Sequence, residues 1–192
     1  VAKYEFEFTG VGSLMFGRPV SEPKRDDETH EQHDQRTWKL KINHRDKQAC
    51  IEPFALTNAL VSAGSRLSIK VPGGGKATFT KLFRQGCMCV DPMMLFKPDG
   101  SPLQVDDINP QRLFVPSDGK RGSAKRVFRT FPTCDAWKAV GSIMVFDNKI
   151  TEDILKRHMV EAGKFIGFGS MRVENGGICG RFAVDSLTEV EE

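Results

Sequence analysis

The stretch KFIGFGSMRVENGGICGRF, Lys164 to Phe182, follows directly on a helical pattern and leads into an apolar strand, with five glycines and two arginines between them. Glycine adopts positive φ at little steric cost and lets a ligand reach main-chain N–H groups. Beside Arg172 and Arg181, a loop of this kind suits a phosphate-bearing polymer and points to binding more than to chemistry. The order of elements also sets a Rossmann reading aside. Gly167-Phe168-Gly169 lacks the third glycine of the dinucleotide pattern, which in addition needs a strand before the loop and a helix after it.

Upstream of this loop, Thr151 reads as the cap of a helix whose Ile154, Leu155, Met159 and Ala162 share a face and which Gly163 ends. Val127 to Phe131 and Val140 to Phe146 have strand character, and Arg181 to Val184 reads as a last strand. At the other end, Lys3 to Phe8 alternates Tyr4, Phe6 and Phe8 with charged residues, a half-buried strand. Residues 17–36 are almost wholly polar and read as a mobile loop, after which Thr37 to Ile42 alternates again. Pro53 opens a helix with Leu56, Ala59, Leu60 and Ala63 as its apolar stripe and Gly64 as its cap. Ala77 to Phe83 and Cys87 to Leu95 are strand candidates, and a loop region rich in Pro, Gly and Asp runs from Lys97 to about Lys125. Strand, helix, strands, then strand, helix, strand predicts one α+β domain over 1–192, a ferredoxin-like antiparallel sheet with insertions at 17–36 and 97–130. Functional residues are expected on those insertions, because loops held by a rigid scaffold carry binding groups.

A chain of 192 residues with 39% hydrophobic residues can bury a core without staples. No apolar run is long enough to span a bilayer and no signal-peptide pattern opens the chain, so a cytoplasmic location is expected. The cysteines, Cys50, Cys87, Cys89, Cys134 and Cys179, are odd in number and scattered, as reduced packing residues are. Cys87 and Cys89 would share one face of a strand, but no second pair completes a zinc site, and no metal or cofactor is expected. Val71-Pro72-Gly73-Gly74-Gly75-Lys76 is no P-loop, since Lys70 replaces the leading glycine and Ala77 the magnesium-binding hydroxyl. It reads as a turn joining two strands. Trp38 and Trp137 read as core residues.

Charge distribution says more than the net charge of +3. Between Arg112 and Arg129 lie six cations, Arg112, Lys120, Arg121, Lys125, Arg126 and Arg129, against the single acid Asp118. Interleaved with Phe114, Phe128 and Phe131, such a segment can pair with phosphates while a ring stacks on or wedges between bases. The plain alternative is a solvated basic loop.

A first strand running into a glycine-containing turn, a second helix followed by a glycine-rich loop, and a strand opening Gly180-Arg181-Phe182 together resemble the RAMP superfamily, specifically the backbone subunit of CRISPR effector complexes. The resemblance implies an RRM-like core with an inserted thumb hairpin, here residues 97–130, and Gly167, Gly169, Gly176, Gly177 and Gly180 as the glycine-rich loop. It implies a non-catalytic protein that binds single-stranded guide RNA, and a complementary target strand, beside copies of itself and other effector subunits in an open filament. The RNA would follow a groove lined by Arg18, Lys120, Arg121, Lys125, Arg126, Arg129, Arg172 and Arg181, largely without regard to sequence.

Two further classes stay open. A metal-dependent RNA endonuclease would use an acid of the 17–36 loop, with Asp27 the candidate to mutate first among Asp26, Asp27 and Asp34. A virus-encoded adaptor or decoy would keep the subunit interface and lose RNA affinity. His30 and His33 read as an exposed pair because their segment lacks an apolar face to hold a helix, His44 stands without a partner, and His158 reads as a partly buried helical residue.

Overall fold

The structure is a computed structural model that describes residues 1–120 and 122–190. In chain order its elements are β1 (Ala2–Val11), β2 (Leu14–Met15), α1 (His30–Thr37), a 3-10 turn (Trp38–Lys41), β3 (His44–Arg45), β4 (Gln48–Ile51), α2 (Pro53–Leu67), α3 (Phe79–Gly86), β5 (Cys87–Met88), β6 (Met93–Phe96), β7 (Asn109–Pro116), β8 (Arg126–Cys134), β9 (Lys138–Val145), α4 (Glu152–Phe165) and β10 (Arg181–Val190). The larger sheet runs β10-β1-β9-β6-β4-β3, with β5 paired to β9 beyond the end of β6, and every ladder in it is antiparallel. A smaller antiparallel sheet, β2-β8-β7, is built on a long hairpin. The protein is therefore α+β with antiparallel sheets. No helix of the described residues is long and apolar enough to cross a membrane.

Alternation along β1 turns Tyr4, Phe6 and Phe8 inward, where they join Ile143 and Val145 of β9 and Met93 and Leu95 of β6. Leu56, Ala59, Leu60 and Ala63 of α2 and Leu155, Met159 and Ala162 of α4 close over them in one core. An aromatic stack crosses this layer: Phe8 lies 4.5 Å from Phe182 of β10, which lies 4.5 Å from Phe168 of the glycine loop. The loop is thus pinned to the sheet by its own ring. Trp137 is fully buried and Trp38 half-buried against the core.

Several elements differ from their sequence reading. Residues 30–37 form a helix where a mobile loop is expected, because the segment needs no apolar face. Thr29 and Gln32 make a reciprocal capping box, and Asp34 and Thr37 are buried against neighbouring elements. The alternation of 37–42 belongs to the 3-10 turn. Ala77 to Phe83 is mostly helix: Phe79 and Phe83, four apart, share its buried face. The Val71–Lys76 turn therefore joins two helices, closed by Val71 N–H donating to Ala77 O at 2.9 Å. α2 runs through Gly64, whose missing side chain admits the Thr80 backbone, and ends at Ser68 in the left-handed region. Cys87 to Leu95 splits into two short strands, and β7 occupies part of the expected 97–125 loop.

His158 is fully buried, with Nδ1 against the Ile154 carbonyl at 2.7 Å and the ring 4.5 Å from that of Phe83. Nε2 has no partner. Burial, reinforced by Arg157, holds its pKa below the usual 6.5. The folded protein binds this proton more weakly than the unfolded chain does, so the contribution is complete above pH 6.5 and is lost as pH falls toward the depressed value. The melting temperature is expected to fall as pH drops below about 6.5, and His158→Phe to flatten that slope. An unchanged slope in the variant would assign the titration elsewhere.

Candidate nucleic-acid interface

Three depressions surround residues 17–20, and Arg18 and Pro19 line all of them. The first, about 580 Å³, lies between α2, residues 14–19 and the glycine loop. The second, about 390 Å³, lies between residues 17–20, α1 and the β7–β8 hairpin, and includes Arg129. Gly17 and Ser170 belong to both and touch each other, so the two depressions adjoin across this contact, with Arg18 lining each.

The hairpin face turned away from the second depression is cationic and aromatic, because alternation puts Val115, Arg129 and Phe131 on the depression side and Arg112, Phe114, Arg126 and Phe128 on the other. Phe114 and Phe128 are opposite each other in the ladder, their rings 4.9 Å apart and 50% and 40% exposed. The Arg112 guanidinium lies 3.7 Å from the Phe128 ring and that of Arg126 5.3 Å from Phe114. Glu31 of α1 binds Arg112, Nε at 2.8 Å, and Arg126 donates to the Phe114 carbonyl at 2.6 Å.

The base of the hairpin is held by a buried clamp. Lys41 Nζ donates to Asp34 Oδ1 and to the Thr130 carbonyl, both at 2.5 Å, while the Thr130 N–H donates to Asp34 Oδ2. Thr130 pairs with Arg112 on one side and lies beyond the β2 ladder on the other. Asp34 and Lys41 supply there the acceptor and donor of a missing strand. Asp34 is thus committed to the fold, while Asp26 and Asp27 sit on an exposed turn. Among the described residues no group of three or more His, Cys, Asp or Glu lies together. His33 Nε2 meets the Glu22 carbonyl at 2.8 Å.

The glycine loop is folded onto itself. A Cβ at Gly169 would strike the Met15 carbonyl, one at Gly177 that of Met171, and one at Gly180 the Phe168 backbone. Gly167, Phe168, Ser170, Gly176, Gly177, Cys179 and Gly180 donate their N–H groups to carbonyls of the chain itself. The close approach that this composition signals is met by neighbouring main chain. Gly167, Gly169 and Arg172 line the first cavity, whereas Gly176, Gly177, Gly180 and Arg181 do not. Arg172 pairs with Glu174, and Arg181 Nε donates to the Lys164 carbonyl at 3.1 Å. Salt bridges among the described residues leave Arg18, Lys120, Lys125, Arg126 and Arg129 free of carboxylates. Arg121 lies outside the described residues.

All five thiols are buried and free, and burial pushes Cys50 up to about 11 and Cys87 and Cys89 up to about 12. They are packing groups. Sequence reading missed the Asp34–Lys41 clamp, whose partners are distant in sequence from Thr130. It also missed the stripe Phe54, Asn58 and Ser62 along α2, which line the first cavity and whose four-residue spacing was visible. No family model matches the chain, and no curated protein matches it.

Proposed function

We propose that this protein binds single-stranded RNA along the hairpin and the depressions between it and the glycine loop, as a non-catalytic backbone subunit of a CRISPR-type ribonucleoprotein. The observation that carries the RNA reading is the exposed Phe114–Phe128 pair flanked by Arg112 and Arg126 on one face of the hairpin, while Arg129 on the opposite face meets Arg18 at the second depression, both outside the salt bridges of the described residues. Stacking rings with surrounding cations are what a flexible polyanion with splayed bases requires. The order β10-β1-β9-β6, with helical connections between β1 and β6 and between β9 and β10, supports a ferredoxin-like core carrying a thumb-like hairpin.

The open sheet face is a poor stacking surface. It presents Lys3, Glu5, Glu7 and Thr9 from β1 and Lys138, Val140, Ser142 and Met144 from β9, so neither central strand puts an aromatic ring on this face. RNA contact therefore falls to the hairpin and the depressions beside it. Met88 and Val140, exposed on that same face, favour the adaptor reading as the second choice.

Fluorescence anisotropy with labelled single-stranded RNA tests the proposal. Arg126→Ala/Arg129→Ala is expected to weaken binding about tenfold at moderate salt and to reduce the slope of log K against log salt by about 1.4, two single-strand phosphate contacts. Absence of salt-sensitive binding by the unaltered protein, even at low salt, would sink the RNA reading and leave the adaptor in front.

A further inference from the structure

We infer that the cavity between α2 and the glycine loop receives one nucleotide unit, its base against α2 and its phosphate toward Arg18, giving RNA binding a base-dependent part. The inference rests on the RNA reading above and deepens it. At about 580 Å³ the cavity falls within the range of small-molecule sites, about 300–1,000 Å³. Its walls divide by chemistry. Ile51, Ala59 and Phe168 are buried apolar residues at its surface, while Phe54, Asn58 and Ser62, four apart on one face of α2, bring a ring, an amide and a hydroxyl to its side.

Phe54 is 66% exposed, far more than packing of the core would leave it. A large ring left at the mouth of a cavity offers a flat apolar face to a planar ligand. Asn58 beside it carries both a donor and an acceptor, the pair that reads a base edge. Electrostatics orients the unit. Glu52, at the start of α2, lines the same wall and is paired with Arg45 at 3.2 Å, so that wall offers a phosphate no free side-chain cation. Across the cavity Arg172 is tied to Glu174, but Arg18 is outside the salt bridges of the described residues. A phosphate accordingly belongs beside Arg18, at the junction with the second depression, and the base on the α2 side. A nucleotide within a strand and a free nucleotide share this chemistry.

The test compares three probes by fluorescence and calorimetry: RNA of about 12 nucleotides, an abasic ribose-phosphate strand of the same length, and the four free ribonucleoside monophosphates. The unaltered protein is expected to bind RNA about tenfold more tightly than the abasic strand. Phe54→Ala and Asn58→Ala, both at exposed positions, are each expected to shrink that difference with the melting temperature and abasic-strand affinity unchanged. Equal, salt-sensitive binding of both strands by the unaltered protein would overturn the inference, and would leave of the RNA reading its phosphate contacts without base stacking at Phe114 and Phe128. Monophosphates that bind through Phe54 while neither strand binds would keep the nucleotide site and overturn the RNA reading. Silence from all three probes would overturn both.

Discussion

Asp34→Ala will lower the free energy of unfolding by about 3–5 kcal/mol, the cost of leaving one member of a buried ion pair uncompensated. Chemical denaturation of the variant reads this as an earlier midpoint with an unchanged slope. The substitution strands the Lys41 ammonium, which is buried, and removes the acceptor of the Thr130 N–H. Many buried pairs can be exchanged for apolar residues at no loss. Here that exchange should fail, because the same two side chains satisfy both backbone groups of Thr130. The double variant Asp34→Leu/Lys41→Met is expected to remain destabilised by about 2–4 kcal/mol, from two orphaned backbone groups at about 1–3 kcal/mol each. A double variant as stable as the parent would show that the clamp is dispensable. Because Thr130 sits at the foot of the hairpin, Asp34→Ala should also weaken RNA binding with Arg126 and Arg129 intact.

Gly180→Ala is the second large effect, about 2–5 kcal/mol. Gly180 has φ of 77°, where an L residue costs roughly 1–2 kcal/mol, and its new methyl would meet the Phe168 backbone, adding about 1–3 kcal/mol of overpacking. The Phe168 N–H donates to the Gly180 carbonyl at 3.0 Å, and Gly180 N–H to Ser13 O at 2.8 Å. Displacing this crossing frees Phe168 from its stack on Phe182 and moves the wall of the nucleotide cavity. By contrast, Gly119→Ala also replaces a positive-φ glycine but nothing lies within 4 Å of the added atom, so it should cost only the conformational part. Equal losses at the two positions would show that the packing collision contributes nothing.

Legibility in the sequence followed the range of the interaction. β1 and α4 were readable from period and caps, since alternation at Tyr4, Phe6 and Phe8 and the Thr151 cap are local. α1 was not, because a capping box and a buried carboxylate hold it in place of an apolar stripe. The sequence of α3 reads as strand because its aromatic residues have β propensity, while tertiary packing of Phe79 and Phe83 against His158 imposes the helix. For the site, the basic hairpin and its phenylalanines were visible as composition, and Arg18 was named. The pairing of Phe114 with Phe128 and the meeting of Arg18 with both cavities depend on strand register and chain crossing, which no window of sequence contains. The glycine loop was recognised for its density but not for its partners, Met15, Ser13 and its own backbone.

The pairing of β1 with β10 carries a consequence for synthesis on the ribosome. Lys3 lies opposite Val190 and Val11 opposite Arg181, so β1 must wait for a strand translated far later, an interval of roughly 10–40 s at ordinary elongation rates. During that wait one edge of β1 has no strand, and Phe8 lacks the ring of Phe182 that covers it. The glycine loop and hence the cavity wall are fastened only when Phe182 arrives. A nascent chain therefore presents the cations and exposed rings of its finished hairpin before the cavity between α2 and the glycine loop is complete.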